Sequence, residues 1–208
     1  MKLARIAAAV LAGAVATVTL HAPAAQAHGS GTRSLAAVLT RDTSGFDRKG
    51  KDFDVLTAAV LAVLDAKPNS PVKVLTDGSV ALTAFIPNDA AFRKLAADVT
   101  RSRKLPSERQ AFKTVAGLGI DTVEAVLLYH VVPGATITKR TALRSDNARL
   151  TTAAGSKIKV DVRWWKRVYL IDADRTDRNP RVIAFDINKG NRQIAHAIDR
   201  VLRPVDLP

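Results

Sequence analysis

The 208-residue sequence contains no cysteine. That excludes disulfides, thiolate metal sites, cysteine nucleophiles and the lipid anchor that needs a cysteine at a leader cleavage point. Histidine is scarce, with four residues, and none forms a close H-x-x-x-H or H-x-H pair of the kind that ligates zinc. No G-x-S-x-G elbow occurs, and there is no internal repeat. After the N-terminus, no apolar run approaches the roughly 20 residues of a membrane span. Folding must therefore rest on apolar burial.

The N-terminus has the organisation of a secretory leader. Met1-Lys2-Leu3-Ala4-Arg5 is basic, Ile6 to Leu20 is apolar, and Ala25-Gln26-Ala27 is a small-x-small cleavage pattern. This predicts a leader over residues 1–27, a mature start at His28, no transmembrane anchor in the mature form, and a secreted, extracellular or cell-wall-associated protein. Without Lys2 and Arg5, 30 basic residues face 19 acidic ones, a formal +11. For an exported chain such charge favours an extracellular polyanion, a cell-wall polymer or a surface protein as partner, and no nucleic acid is expected. The Ala- and Arg-rich composition and the simple leader suggest a high-GC bacterium.

Residues 28–51 are rich in Gly, Ser and charge and read as a flexible arm, interrupted by the apolar Leu35–Leu39. From Phe53 to Ala66 apolar residues recur at helical spacing, and Lys67-Pro68-Asn69 ends the run. Val80 to Ile86 reads as a buried strand. Asn88 is placed to cap a helix that buries Phe92, Leu95 and Ala96. Further helices are predicted from Ser107 to about Val115 and after Asp121, with Asp121 and Glu124 spaced to satisfy free amides at the helix start. Beyond Pro133-Gly134 the segments 150–152, 157–162, 168–171, 182–185 and 193–202 are short and rich in β-branched residues, which predicts strands. A mainly helical half before a mainly stranded half implies one α+β domain with helices packed on a sheet.

Three stretches carry a family resemblance. Leu82-Thr83-Ala84-Phe85-Ile86-Pro87-Asn88-Asp89-Ala90-Ala91-Phe92 resembles the first signature of the fasciclin domain. Leu128-Tyr129-His130-Val131-Val132-Pro133-Gly134 is similar to its central Tyr-His motif. Ile194-Ala195-His196-Ala197-Ile198-Asp199-Arg200-Val201-Leu202-Arg203-Pro204 is similar to its closing signature. The resemblance spans roughly Asp52 to Pro204 and places the domain at 52–205. It implies helices on a wedge-like sheet, a non-catalytic role in adhesion or matrix contact, and motif residues Asn88, Asp89, Phe92, Tyr129, His130 and His196 that serve the fold. The charged run 172–180 and the segment 184–191 depart from the family pattern, and no stretch matches the adhesion-receptor motifs of animal members.

The candidate sites separate by neighbourhood. Tyr129 and His130 sit among Leu127, Leu128, Val131 and Val132, which suits a side chain that braces a helix end better than a general base. His28, as a mature N-terminus, offers an amine and an imidazole that could chelate copper, as in an exported oxidative or hydrolytic enzyme acting on polysaccharide. A module that sequesters a small ligand is a further alternative. Asp172, Asp174 and Asp177 lack the glycine and terminal glutamate of an EF-hand loop and are neutralised by Arg175 and Arg178, so a solvated turn is expected. No metal and no cofactor are assigned. Arg163-Trp164-Trp165-Lys166-Arg167 is the best binding candidate: both tryptophans of the protein lie between cations. On a strand one would enter the core while the other meets solvent, where it could stack on a sugar or an anionic polymer.

Overall fold

The computed structural model describes residues 31–205, so the leader at 1–27 and His28 lie outside the described residues. Helices α1 (Leu35–Leu39), α2 (Asp54–Ala66), α3 (Asp89–Val99), α4 (Glu108–Ala116), α5 (Ile120–Tyr129) and α6 (Lys139–Ala142) precede or flank seven strands. These are β1 (Leu82–Pro87), β2 (Val131–Pro133), β3 (Arg149–Thr151), β4 (Lys157–Arg163), β5 (Arg167–Ile171), β6 (Val182–Ile187) and β7 (Gln193–Ile198). A four-stranded sheet runs β2-β1-β7-β6, and an antiparallel sheet runs β3-β4-β5. The only parallel pairing among these strands joins β1 to β7, which brings two of the signature stretches together over Leu82–Pro87 and Gln193–Ile198. The fold is the α+β arrangement the sequence implies.

Both central strands are buried along their whole length. On one side of them, α2, α3 and α5 form the larger core around Val55, Val60, Leu95, Val123 and Leu127. A smaller core sits between β4, β5 and β7 around Phe85, Tyr129, Ile158, Leu170 and Leu202. Helix starts follow their capping chemistry. The Asn88 side chain accepts from the Ala91 amide at 3.0 Å, and Ser107 and Gln110 form a reciprocal capping box on α4.

Three expectations change. The segment read as a flexible arm is packed from residue 31 onward: Leu35 and Leu39 belong to the core, Gly31 bonds to Gly190 and Arg192, and the Leu35 amide donates to Gln193 Oε1 at 2.7 Å. Five residues of α1 are too few to display a periodicity, and its polar flanks hid it. Asp121 and Glu124 do not cap α5, whose N-cap is Gly119; both take the ammonium of Lys67 instead. The last strand stops at Ile198 rather than Leu202, because Asp199 turns to accept the Arg181 amide.

Candidate binding surface

The β4–β5 hairpin closes where Arg163 pairs with Arg167. Trp164, Trp165 and Lys166 form the turn, and Trp165 and Lys166 adopt positive φ of 64° and 57°. Leaving the strand ends the alternation that would have buried one ring. Trp164 is 89% exposed and Trp165 is 88% exposed, which corrects the expectation that one packs inward. A bulky residue in the left-handed region is strained by roughly 1–3 kcal/mol. At the base of the turn, Arg163 stacks over the Tyr169 ring at 4.4 Å and bonds Asp161 at 2.7 Å.

Arg163 also lines an open cleft of about 460 Å³. Four further cations, Lys94, Arg178, Arg181 and Arg200, face it against a single carboxylate, Asp199. Lys94 Nζ donates to the Asp199 carbonyl at 2.9 Å, and Arg181 Nε lies 3.5 Å from the Asp199 carboxylate. Arg200 is anchored from behind by Asp177. Positioned guanidinium groups on a concave surface suit the bidentate binding of carboxylate, sulfate or phosphate groups. The sequence alone did not disclose the cleft, since its cations come from α3, the hairpin, the 178–181 segment and the C-terminal exit. The hairpin run was the only local signal.

Behind the cleft lies an ion network rather than the solvated turn expected for residues 172–178. Asp174 is 3% exposed. Arg203, itself buried, reaches Asp98 at 2.5 Å, Asp174 at 3.1 Å and Asp177 at 3.2 Å. Its amide donates to Asp172 at 2.8 Å. Arg203 thus occupies the place a cation would need among these aspartates.

The motif residues are turned inward. His130 is 4% exposed; the Leu202 amide donates to its Nε2 at 2.9 Å, so Nδ1–H donates to the Val126 carbonyl at 2.7 Å. Burial pulls His130 down to about 4, keeping it neutral. His196 holds the opposite tautomer, with Nδ1 accepting from the Asp186 amide at 3.1 Å and Nε2–H donating to Ile137 at 2.8 Å. Both rings are fully engaged by backbone. Tyr129, wholly buried, donates to the Lys157 carbonyl at 3.3 Å, and burial pushes its phenol up to about 12. Asp89 accepts the Asp54 and Val55 amides at 3.1 and 2.9 Å and so caps α2 from the start of α3. Burial, with Asp52 alongside, pushes Asp89 up to about 8. Phe92 is a core residue at 3% exposure.

The apolar voids between helices and sheet enclose only about 20 Å³ each. That is room for about one water, far below the roughly 300–1,000 Å³ of a ligand pocket. Among the described residues no helix is long and apolar enough to cross a membrane.

A model of the Fasciclin domain family matches residues 56–204. No curated protein matches the chain. Among solved structures, the fold is similar to that of a FAS1 domain pair from the insect cell adhesion molecule fasciclin I. The TM-score is 0.57 and the identity 16% over 82% of this chain, which spans 50% of that one.

Proposed function

The chain belongs to the fasciclin domain family, and on that premise we propose that it is a secreted, non-catalytic module that holds anionic polymers at the cell envelope or in the extracellular matrix. Fasciclin domains serve generally as adhesion or binding modules of extracellular and cell-surface proteins. The observation that carries the finer reading is the junction of two fully projecting tryptophans with a cleft lined by five cations and one carboxylate. The cations supply attraction that acts over the Debye length, about 8–10 Å at ordinary salt. The indole faces supply stacking area on sugar rings at short range. A non-catalytic role is supported by the engagement of both buried histidines with backbone partners, which leaves neither imidazole a free nitrogen to move a substrate proton.

Co-sedimentation of residues 28–208 with purified cell walls and acidic polysaccharides across a salt series tests this reading. Binding is expected to weaken with salt and to fall at least several-fold in a Trp164→Ala/Trp165→Ala variant whose circular dichroism is unchanged. A wild-type protein that stays in the supernatant at low salt would sink the proposal.

A further inference from the structure

The loop that leads into α2 brings carboxylates together with the first residues of α3 and α4. Oxygens of Asp47, Asp52 and Glu108 lie within 4.8 Å of one another, and so do oxygens of Asp52, Asp54 and Asp89. In a chain with 13 net positive charges, this is a concentration of carboxyl groups with little cationic charge beside it. Lys49 reaches Asp47 at 3.1 Å, but its side chain stays 74% exposed. The buried oxygens are more telling. Glu108 is 1% exposed and, although the Asp47 amide faces its carboxylate, neither oxygen has a partner at full hydrogen-bond distance and angle; Asp54, 8% exposed, has one such oxygen, and the half-buried Asp52 another. Buried charge without a partner is expensive, and a native fold satisfies it.

We infer that this cluster is a calcium site, with Asp52 Oδ1 and the two oxygens of Glu108 as its buried ligands and Asp47 on the solvent side. Calcium takes six to eight oxygens at about 2.3–2.6 Å, so oxygens across the ion are roughly 4.6–5.2 Å apart, a spacing that lets this group share one ion. The donor set is all oxygen and contains neither imidazole nor thiolate, which favours a hard cation over zinc or copper. Asp47 and Asp52 are only half-buried, leaving a path for the ion and for water to complete its shell. The site ties the 47–54 loop to the start of α4, a contact that Phe46 and Phe112 already make with ring centroids 5.4 Å apart. It does not depend on the polyanion reading.

The test uses residues 28–208 stripped with EDTA, titrated with calcium chloride by calorimetry and followed by thermal unfolding. One calcium per chain is expected, with Tm rising by roughly 5–10 °C at a hundredfold excess over Kd. Glu108→Gln and Asp52→Asn lose the binding heat and the Tm response, while Asp65→Asn, which removes an exposed carboxylate on α2, keeps both. Stripped Glu108→Gln unfolds no lower than stripped wild type, because it removes a buried carboxyl group whose charged form burial disfavours. Wild type that gives neither heat nor a Tm shift with calcium overturns the inference, as does a response that persists in Glu108→Gln and Asp52→Asn; either result means that the carboxylates are kept neutral by protons or bind calcium only at the surface.

Discussion

The backbone amide of Leu202 donates to His130 Nε2 at 2.9 Å, across 72 residues of sequence, while the same ring donates to Val126 one turn earlier on its own helix. His130 therefore locks the end of α5 to the C-terminal exit only as a neutral imidazole. Its folded pKa, about 4, lies below the ordinary value of 6.5, so the unfolded chain takes up the proton first. The stabilisation is complete above about pH 6.5 and is lost as pH falls toward 4, by about 3 kcal/mol. Comparing His130→Gln with wild type isolates this contribution, because carboxylates such as Asp89 titrate in both proteins. The variant is expected to be less stable by about 2–3 kcal/mol at pH 7, and urea unfolding should show the gap closing or reversing at pH 4. A gap independent of pH would mean that the ring is not held neutral.

Arg203 carries the second long-range tie. Its side chain is 6% exposed and faces Asp98, Asp174 and Asp177. Arg203→Met removes the buried guanidinium that Asp98, Asp174 and Asp177 share, so a loss of about 3–5 kcal/mol is expected in urea unfolding. Adding Asp174→Asn should recover part of that loss, since the Asp174 side chain is the most deeply buried of the three aspartates. Failure of the second substitution to help would show that the loss came from packing of the arginine stem instead.

These two ties mark where sequence reading reaches its range. Asn88 at the start of α3, the apolar period of α2 and the β-branched runs of β4 and β5 were all legible, because the chemistry that sets them lies within one element. His130 could be read as structural from its apolar neighbours and His196 from the family resemblance, but not their partners, which come from Leu202 and Asp186. Strand β2, with three residues, and α6, with four, are too short to carry a period. The cleft and the acidic cluster were invisible for a different reason. Each collects residues from segments tens of positions apart, and the parallel β1–β7 pairing and the docking of α3 and α4 bring those segments together.

The packed N-terminal segment can be checked at a glycine. A Cβ at Gly78 would meet the Thr32 carbonyl oxygen at 1.7 Å and the Ser34 amide at 2.8 Å, contacts with backbone that no rotamer change relieves. Gly78→Ala is expected to push residues 31–39 off the domain and to cost about 1–3 kcal/mol. Hydrogen exchange should then accelerate across α1 and at the Leu35 amide, which donates to Gln193, while α5 remains protected. Unchanged exchange at Leu35 would mean that the segment is not packed against Gly78.

The hairpin turn sets stability against binding at one residue. Trp165 holds φ 64° with its ring 88% exposed, so the fold bears the strain of a left-handed tryptophan and buries almost none of its apolar surface in return. Glycine adopts that backbone region without the Cβ penalty. Trp165→Gly is therefore expected to leave the protein as stable or to stabilise it by about 0.5–1 kcal/mol, while weakening sedimentation with acidic polysaccharide. Because both tryptophans of the chain sit in this turn, fluorescence reports on it alone. Emission should be that of hydrated indole, open to quenching by acrylamide, and protected from the quencher when an acidic polymer is added. A variant that gains stability and still binds as wild type would separate the strain from the function and move the contact to Trp164 and the cleft cations. One that loses stability would show that the ring packs in solution and that the turn is not held open.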